Sequence, residues 1–256
     1  MTTIKTTTDG HVLKIGLTRP EKRNAFTTAM LAELAAAYTR LDEDPELRVG
    51  LLYAEGDHFT GGLDLAEVGP AVARGAALFE GGVDPLGVTG RLCRKPIVAA
   101  AQGICFTIGI ELILAADIAI CADDTRFAQM EVRRGIMAFG GATLRMPQAS
   151  WSRAMRWLLT GDEFPPTEAL ALGLVSEIVP RAELQTHAES IAHQIASRAP
   201  LAVQATLRSA RLAREAALDP ARDALMAEAR ALFLTEDASE GVRSFLERRE
   251  GRFTGR

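Results

Sequence analysis

The chain has 256 residues, 48% hydrophobic and 24% charged, with 22 Gly and 11 Pro. That balance excludes a mainly disordered or collagen-like polymer and suits one large domain, or a main domain with a helical appendage. Its 29 basic and 33 acidic residues leave a formal charge of −4, too little positive field for a general grip on nucleic acid or an anionic membrane.

Val12–Leu17 reads as a strand behind an Asp9-Gly10 turn, and a polar loop broken by Pro20 follows. Thr27 or Thr28 caps a predicted helix reaching about residue 42, with Met30, Leu31, Leu34, Tyr38 and Leu41 at helical spacing. Val49–Ala54 is a continuous apolar run short enough for a buried parallel strand. A glycine-rich turn over 56–62 leads into a short helix from Asp64, and the mixed glycine-rich stretch 75–90 reads as a loop. The alternation continues with a strand at Ile97–Ala101, a helix over 109–116, a strand over 118–121, a helix over 167–172 and a strand over 174–179. Interleaved strands and helices imply an α/β protein with a mostly parallel sheet.

After Pro180 the pattern turns helical over 184–198, 201–217, 221–233 and 238–249, with Pro200 and Pro220 at first-turn positions and Asp219 and Thr235 as caps. The expected division is a core over 1–195 and a helical region over 196–256. No basic n-region with an apolar h-region opens the chain. The apolar stretch from Ile97 to Cys121 contains Glu111 and Asp117 and is broken by Gly103, which fits a buried strand, loop and helix rather than a membrane span. Cys93, Cys105 and Cys121 lack CxxC spacing, which predicts reduced thiols in a cytoplasmic protein.

Glu111 is the anomaly, a carboxylate inside the run Gly109-Ile-Glu-Leu-Ile-Leu-Ala-Ala. An unpaired buried carboxylate is costly or becomes neutral, so two readings stand: a group tuned for proton transfer, or one satisfied by backbone amides or an arginine at its helix start. Glu131 is its candidate partner, since two acids in different surroundings can divide the work of giving and taking a proton. A surface ion pair with Arg133 or Arg134 is the other reading of Glu131. Gly61-Gly62-Leu63-Asp64 and Thr107-Ile108-Gly109 each precede a predicted helix and offer free N–H groups that could converge on an oxyanion. His11, His58, His187 and His193 have no metal-ligand spacing and read as exposed, and no GxSxG, P-loop or GxGxxG motif occurs. Arg208, Arg211 and Arg214 recur every three residues, as on a solvated face or a subunit contact.

Together these pieces resemble the crotonase (enoyl-CoA hydratase/isomerase) family. The segments that carry the resemblance, in order, are Arg19-Pro20-Glu21-Lys22-Arg23-Asn24-Ala25, Phe59-Thr60-Gly61-Gly62-Leu63-Asp64-Leu65, Lys95-Pro96-Ile97-Val98-Ala99-Ala100 and Gly103 through Gly109-Ile110-Glu111-Leu112. Ala116-Asp117, Arg126-Phe127, Glu131 with Gly135 and Gly140-Gly141, Leu159-Thr160-Gly161, Glu168-Ala169 and Gly173-Leu174-Val175 follow. The resemblance implies a spiral of ββα units with a C-terminal helical region used for trimerisation, as a homotrimer or a dimer of trimers. It implies an acyl-CoA thioester as substrate, with coenzyme A present only as part of that substrate, and no metal, nucleic acid or membrane partner. By position, the backbone N–H groups of Leu63 and Ile108 would hold the thioester oxygen, Glu111 and Glu131 would handle a water that adds to a 2-enoyl double bond, and the CoA end would lie near Arg23, Ala25, Gly61 and Asp64. An enoyl-CoA isomerase and a non-catalytic acyl-CoA-binding member are the alternatives. The chain departs from relatives in having Thr107-Ile108-Gly109 for a glycine triplet, Met137-Ala138-Phe139 for a longer Pro-Gly segment, and Ala66 where a lysine is common.

Overall fold

Six strands form the framework of the molecule, whose computed structural model describes residues 2–79, 81–216, 231, 235–249 and 251–256. In spatial order they are β1 (Ile4–Asp9), β2 (Val12–Leu17), β3 (Val49–Ala54), β4 (Ile97–Ala101), β6 (Ile118–Ala122) and β8 (Glu177–Val179). Only the β1–β2 pair is antiparallel; the other neighbours run parallel. A second, two-stranded parallel sheet pairs β5 (Ile104–Phe106) with β7 (Arg126–Ala128).

Parallel neighbours need crossovers, and the helices supply them. Helix α1 (Thr28–Glu43) links β2 to β3; its cap is Thr27, whose hydroxyl accepts from the Met30 N–H at 3.1 Å. The sheet is buried on both faces because alternate residues serve two cores. Leu13, Ile15 and Leu17 of β2 face the larger core, with Leu31, Leu34 and Tyr38 of α1. Val12, Val49, Leu51 and Val98 face the other way, against Leu184, Ala188 and Ala192 of α7 (Leu184–Ala196). Between β4 and β5 the chain turns at Gly103 with φ +56°, where a β-carbon would lie 2.0 Å from the Asp57 carbonyl oxygen, so only glycine fits. Beyond β5 lies the short helix α3 (Ile108–Ala115), buried along most of its length.

The remaining described helices are α2 (Leu65–Ala73), α4 (Ala142–Arg145), α5 (Trp151–Thr160), α6 (Pro166–Ala171), α8 (Pro200–Ala216) and α9 (Glu236–Leu246). Arg211 of α8 is not on a free face: its guanidinium donates to the Cys93 carbonyl at 2.6 Å and to Asp117 at 2.8 Å. Arg48 likewise reaches the carbonyls of Ala196 and Phe253. Thr235 caps α9 by accepting from the Ala238 N–H. The helix expected over 221–233, with Asp219 and Pro220 ahead of it, lies outside the described residues apart from Ala231.

Three expectations change. Strand β1 was not anticipated, and the last strand is confined to Glu177–Val179, because Leu174 and Val175 enter the larger core before the sheet is reached. His11, His58 and His187 are half-buried rather than exposed, and the His58 Nδ1 accepts from the Ile104 N–H at 3.2 Å. Among the described residues no helix is long and apolar enough to cross a membrane; the stretch from Ile97 to Cys121 is divided among β4, β5, α3 and β6.

Candidate active site

Two main-chain turns meet where α3 begins. At Thr107 the backbone takes φ +52° and ψ −114°, a conformation that β-branched residues rarely adopt. Its own N–H is held by the Ala128 carbonyl, and its carbonyl receives the Ile110 and Glu111 amides. The first helix amide, that of Ile108, has no hydrogen-bond partner among the described residues. The neighbouring segment shows the same selectivity. Gly61 N–H donates to the Arg23 carbonyl, Gly62 N–H to the Thr60 hydroxyl and Asp64 N–H to the Phe26 carbonyl, while the Leu63 N–H is left without a partner among the described residues. The turns touch: a β-carbon on Gly62, where φ is +110°, would fall 2.4 Å from the Thr107 hydroxyl.

Leu63 and Ile108 line a cavity of about 210 Å³, together with Gly61, Thr107, Glu111, Glu131 and Phe139. Glu111 is 4% exposed, and its Oε1 accepts from the Gly140 N–H at 2.7 Å and the Ala142 N–H at 3.3 Å. Burial raises its pKa, while those amides and the Arg145 charge oppose the rise. Glu111 is therefore satisfied by backbone amides and also lines the cavity.

Glu131 opens a single tight helical turn, Glu131–Arg134, which ends at Gly135 in the left-handed region. It is 8% exposed, and its Oε2 is buried with no hydrogen-bond partner among the described residues. Burial pushes its carboxyl up to about 7 from a usual 4.5; its own backbone N–H opposes the rise, and the charge of Glu111 adds to it. The surface-pair reading of Glu131 does not hold among the described residues, since Arg133 turns to Asp162. Two buried carboxyl groups in unlike surroundings and two unused amides thus share one small chamber. Such a set can place donors on a developing oxyanion and exchange protons beside it.

A comparison with known protein families decides the kinship: the enoyl-CoA hydratase/isomerase profile matches residues 7–256. The chain belongs to the enoyl-CoA hydratase/isomerase family. Among its relatives in that family is the enoyl-CoA hydratase EchA19 of Mycobacterium tuberculosis, 32% identical over 96% of this chain and 94% of that protein. The carnitinyl-CoA dehydratase of Escherichia coli is 33% identical over 98% and 97%. A crystal structure of a probable enoyl-CoA hydratase/isomerase from Mycobacterium abscessus superposes with a TM-score of 0.96 at 50% identity, covering 99% of each chain. The family's crotonase fold is the fold of this chain.

Of the residues assigned from the sequence to this family's site, Gly61, Leu63, Ile108, Glu111 and Glu131 come together at the cavity. Arg23, Ala25 and Asp64 do not line it. They lie on an adjoining ribbon, where the Phe26 and Leu63 backbones pair in parallel and Arg19 joins the Ala25 carbonyl to the Asp64 carboxylate. Sequence reasoning named Gly140 and Phe139 only within the resemblance and its departures and gave neither a site role; the Gly140 amide holds Glu111, and Phe139 lines the cavity wall. The available signal for both was the departure at Met137-Ala138-Phe139. Among the described residues, no group of three or more His, Cys, Asp or Glu side chains could hold a metal ion.

Proposed function

We propose that this protein adds water across the double bond of a 2-enoyl-CoA thioester to give a 3-hydroxyacyl-CoA, or runs the reverse dehydration. The observation that carries the proposal is the sharing of one cavity by Glu111, Glu131 and the unpaired N–H groups of Leu63 and Ile108. The thioester carbonyl oxygen accepts from the two amides, which favour the enolate more than the ground state because negative charge grows on that oxygen. Glu111, whose anion is supported by two backbone N–H groups, takes a proton from water as the water oxygen bonds to C3. The double-bond electrons move into the enolate. Glu131, which holds its proton up to about pH 7, protonates C2 as the enolate collapses. One water is added, and a proton passing from Glu111 to Glu131 restores the starting state. The names of the relatives, a hydratase and a dehydratase, support the same chemistry in its two directions.

The CoA end is assigned to the ribbon of Arg23, Ala25, Gly61 and Asp64, with Arg23 exposed. The scheme uses no cofactor beyond the coenzyme A of the substrate. Purified protein with crotonyl-CoA should bleach the enoyl thioester absorbance, and Glu111→Gln and Glu131→Gln should each slow that by about 10²–10⁴-fold. In heavy-oxygen water the product should carry label at C3. A shifted double bond without label would make it an isomerase, and tight acyl-CoA binding without conversion a non-catalytic binder.

We also propose self-association as a homotrimer or a dimer of trimers, in the cytoplasm. Trp151, Leu159, Leu144 and Met137 are each at least 60% exposed, apolar side chains that a subunit contact would cover, and the three cysteines are free and buried. Light scattering after size exclusion tests the assembly.

A further inference from the structure

Beyond the wall of the 210 Å³ cavity lies a second one, of about 130 Å³. Its apolar lining includes Val72, Leu78, Phe79, Leu86 and Val88. The polar side chains beside it are turned to other work. The Asp84 carboxylate accepts from the N–H groups of Leu86, Val88, Thr89 and Gly90, at 2.8 to 3.1 Å. That pins the loop forming the far wall, and Arg145 fastens it again by donating to the Leu86 carbonyl at 2.8 Å. The chamber's lining is mainly apolar although Ala76, Ala77 and Thr89 at its rim are exposed, and apolar space of this order of size, about 150 Å³ in a well-studied case, holds a benzene-sized group.

Phe139 lines both cavities, and Gly140 beside it lines the second. The partition is thin at this point, since a β-carbon on Gly140 would be 2.2 Å from Glu111 Oε2 on one side and 2.7 Å from Leu86 Cδ1 on the other. The aromatic ring is only half-buried, and Phe139 belongs to none of the hydrophobic clusters, although its neighbours Ala138 and Ala142 do. A large ring held out of the core, between two cavities, is placed to divide space rather than to fill it.

We propose that Phe139 sets the length of acyl group this protein accepts, by closing the apolar chamber behind Glu111 to the tail of the substrate. This rests on the acyl-CoA reading of the first cavity. An acyl chain whose C2 and C3 lie between the two glutamates runs onward to the Phe139 ring and stops there. The native protein therefore works on short acyl groups. Truncating the ring joins the two cavities and admits a tail about six carbons longer.

The test is a series of trans-2-enoyl-CoA substrates from four to twelve carbons, with kcat/KM measured for the native protein, Phe139→Leu and Phe139→Ala. Saturated acyl-CoA thioesters of the same lengths are titrated against all three proteins by calorimetry. In the native protein both series should fall off beyond the shortest members. In Phe139→Ala the optimum should move to eight to ten carbons, with a gain of about fourfold for each methylene that enters the chamber, and Phe139→Leu should lie between. Should Phe139→Ala fail to fold, as thermal melting would reveal, the leucine variant still decides through its own shift. Identical length profiles in the three proteins, or a native preference for eight or more carbons, overturn the proposal. Binding that follows the expected pattern without any turnover upholds the role of Phe139 and rejects hydration instead.

Discussion

Glu111 and Gly140 are in such close contact that residue 140 has no room for a side chain: the Gly140 N–H donates to Glu111 Oε1 at 2.7 Å, and a β-carbon there would sit 2.2 Å from Oε2. The atom in the way belongs to a buried carboxylate already held by two amides, so the group has little freedom to retreat. Gly140→Ala should therefore displace Glu111 by about an ångström and reduce kcat on crotonyl-CoA by about 10²-fold, the usual loss when a reacting group is misplaced by that distance. A variant within threefold of the native rate would show that the carboxylate position is not set by residue 140.

The raised pKa of Glu131 makes a stability prediction with a definite sign. Below pH 4.5 the carboxyl is protonated in both folded and unfolded chains. Between 4.5 and about 7 the unfolded chain ionises first, so this residue lowers stability progressively; above 7 the full penalty is present. Its ceiling is about 3 kcal/mol. Glu131→Gln removes the ionisation, so the variant should unfold at higher urea than the native protein at pH 8, and the advantage should vanish by pH 4.5. Paired urea titrations at the two pH values read the difference directly.

Thr107 carries strain that the rest of the turn sustains. At φ +52° a β-branched residue costs about 1–3 kcal/mol, and Thr107→Gly releases it while adding unfolded-state freedom worth about 0.5–1 kcal/mol. The net expectation is a gain of about 1 kcal/mol in unfolding free energy, measured by denaturant midpoint at constant slope. A loss instead would mean that contact of the threonine side chain with Gly62 outweighs the strain.

How much of this was legible in the sequence depends on where each signal resides. Strands β2, β3 and β4 are buried on both faces, so their apolar runs announced them, and α1 combined helical spacing with a threonine cap. Strand β1 was silent because it buries only Ile4 and otherwise shows threonine and lysine to solvent or a half-covered edge. Strands β5 and β7 have three residues each, too few for periodicity. Glu111 stood out because its own neighbours are apolar. Glu131 stood out less, since Arg133 and Arg134 imitate a surface pair, and it is the structure that turns Arg133 instead toward Asp162, a residue remote in sequence. The unused amides of Leu63 and Ile108 were foreshadowed by glycine turns. Their selection over their neighbours, however, depends on carbonyl partners as distant as Phe26 and Ala128.

The small β5–β7 sheet has a mechanical consequence. Thr107 follows β5 and Glu131 follows β7, the strands pair at Phe106 and Ala128, and the Thr107 N–H is tied to the Ala128 carbonyl at 2.9 Å. The amide of Ile108 and the carboxyl of Glu131 thus hang from one beam. A displacement of the larger sheet that carried the β5–β7 pair as a unit would leave the spacing between them unchanged.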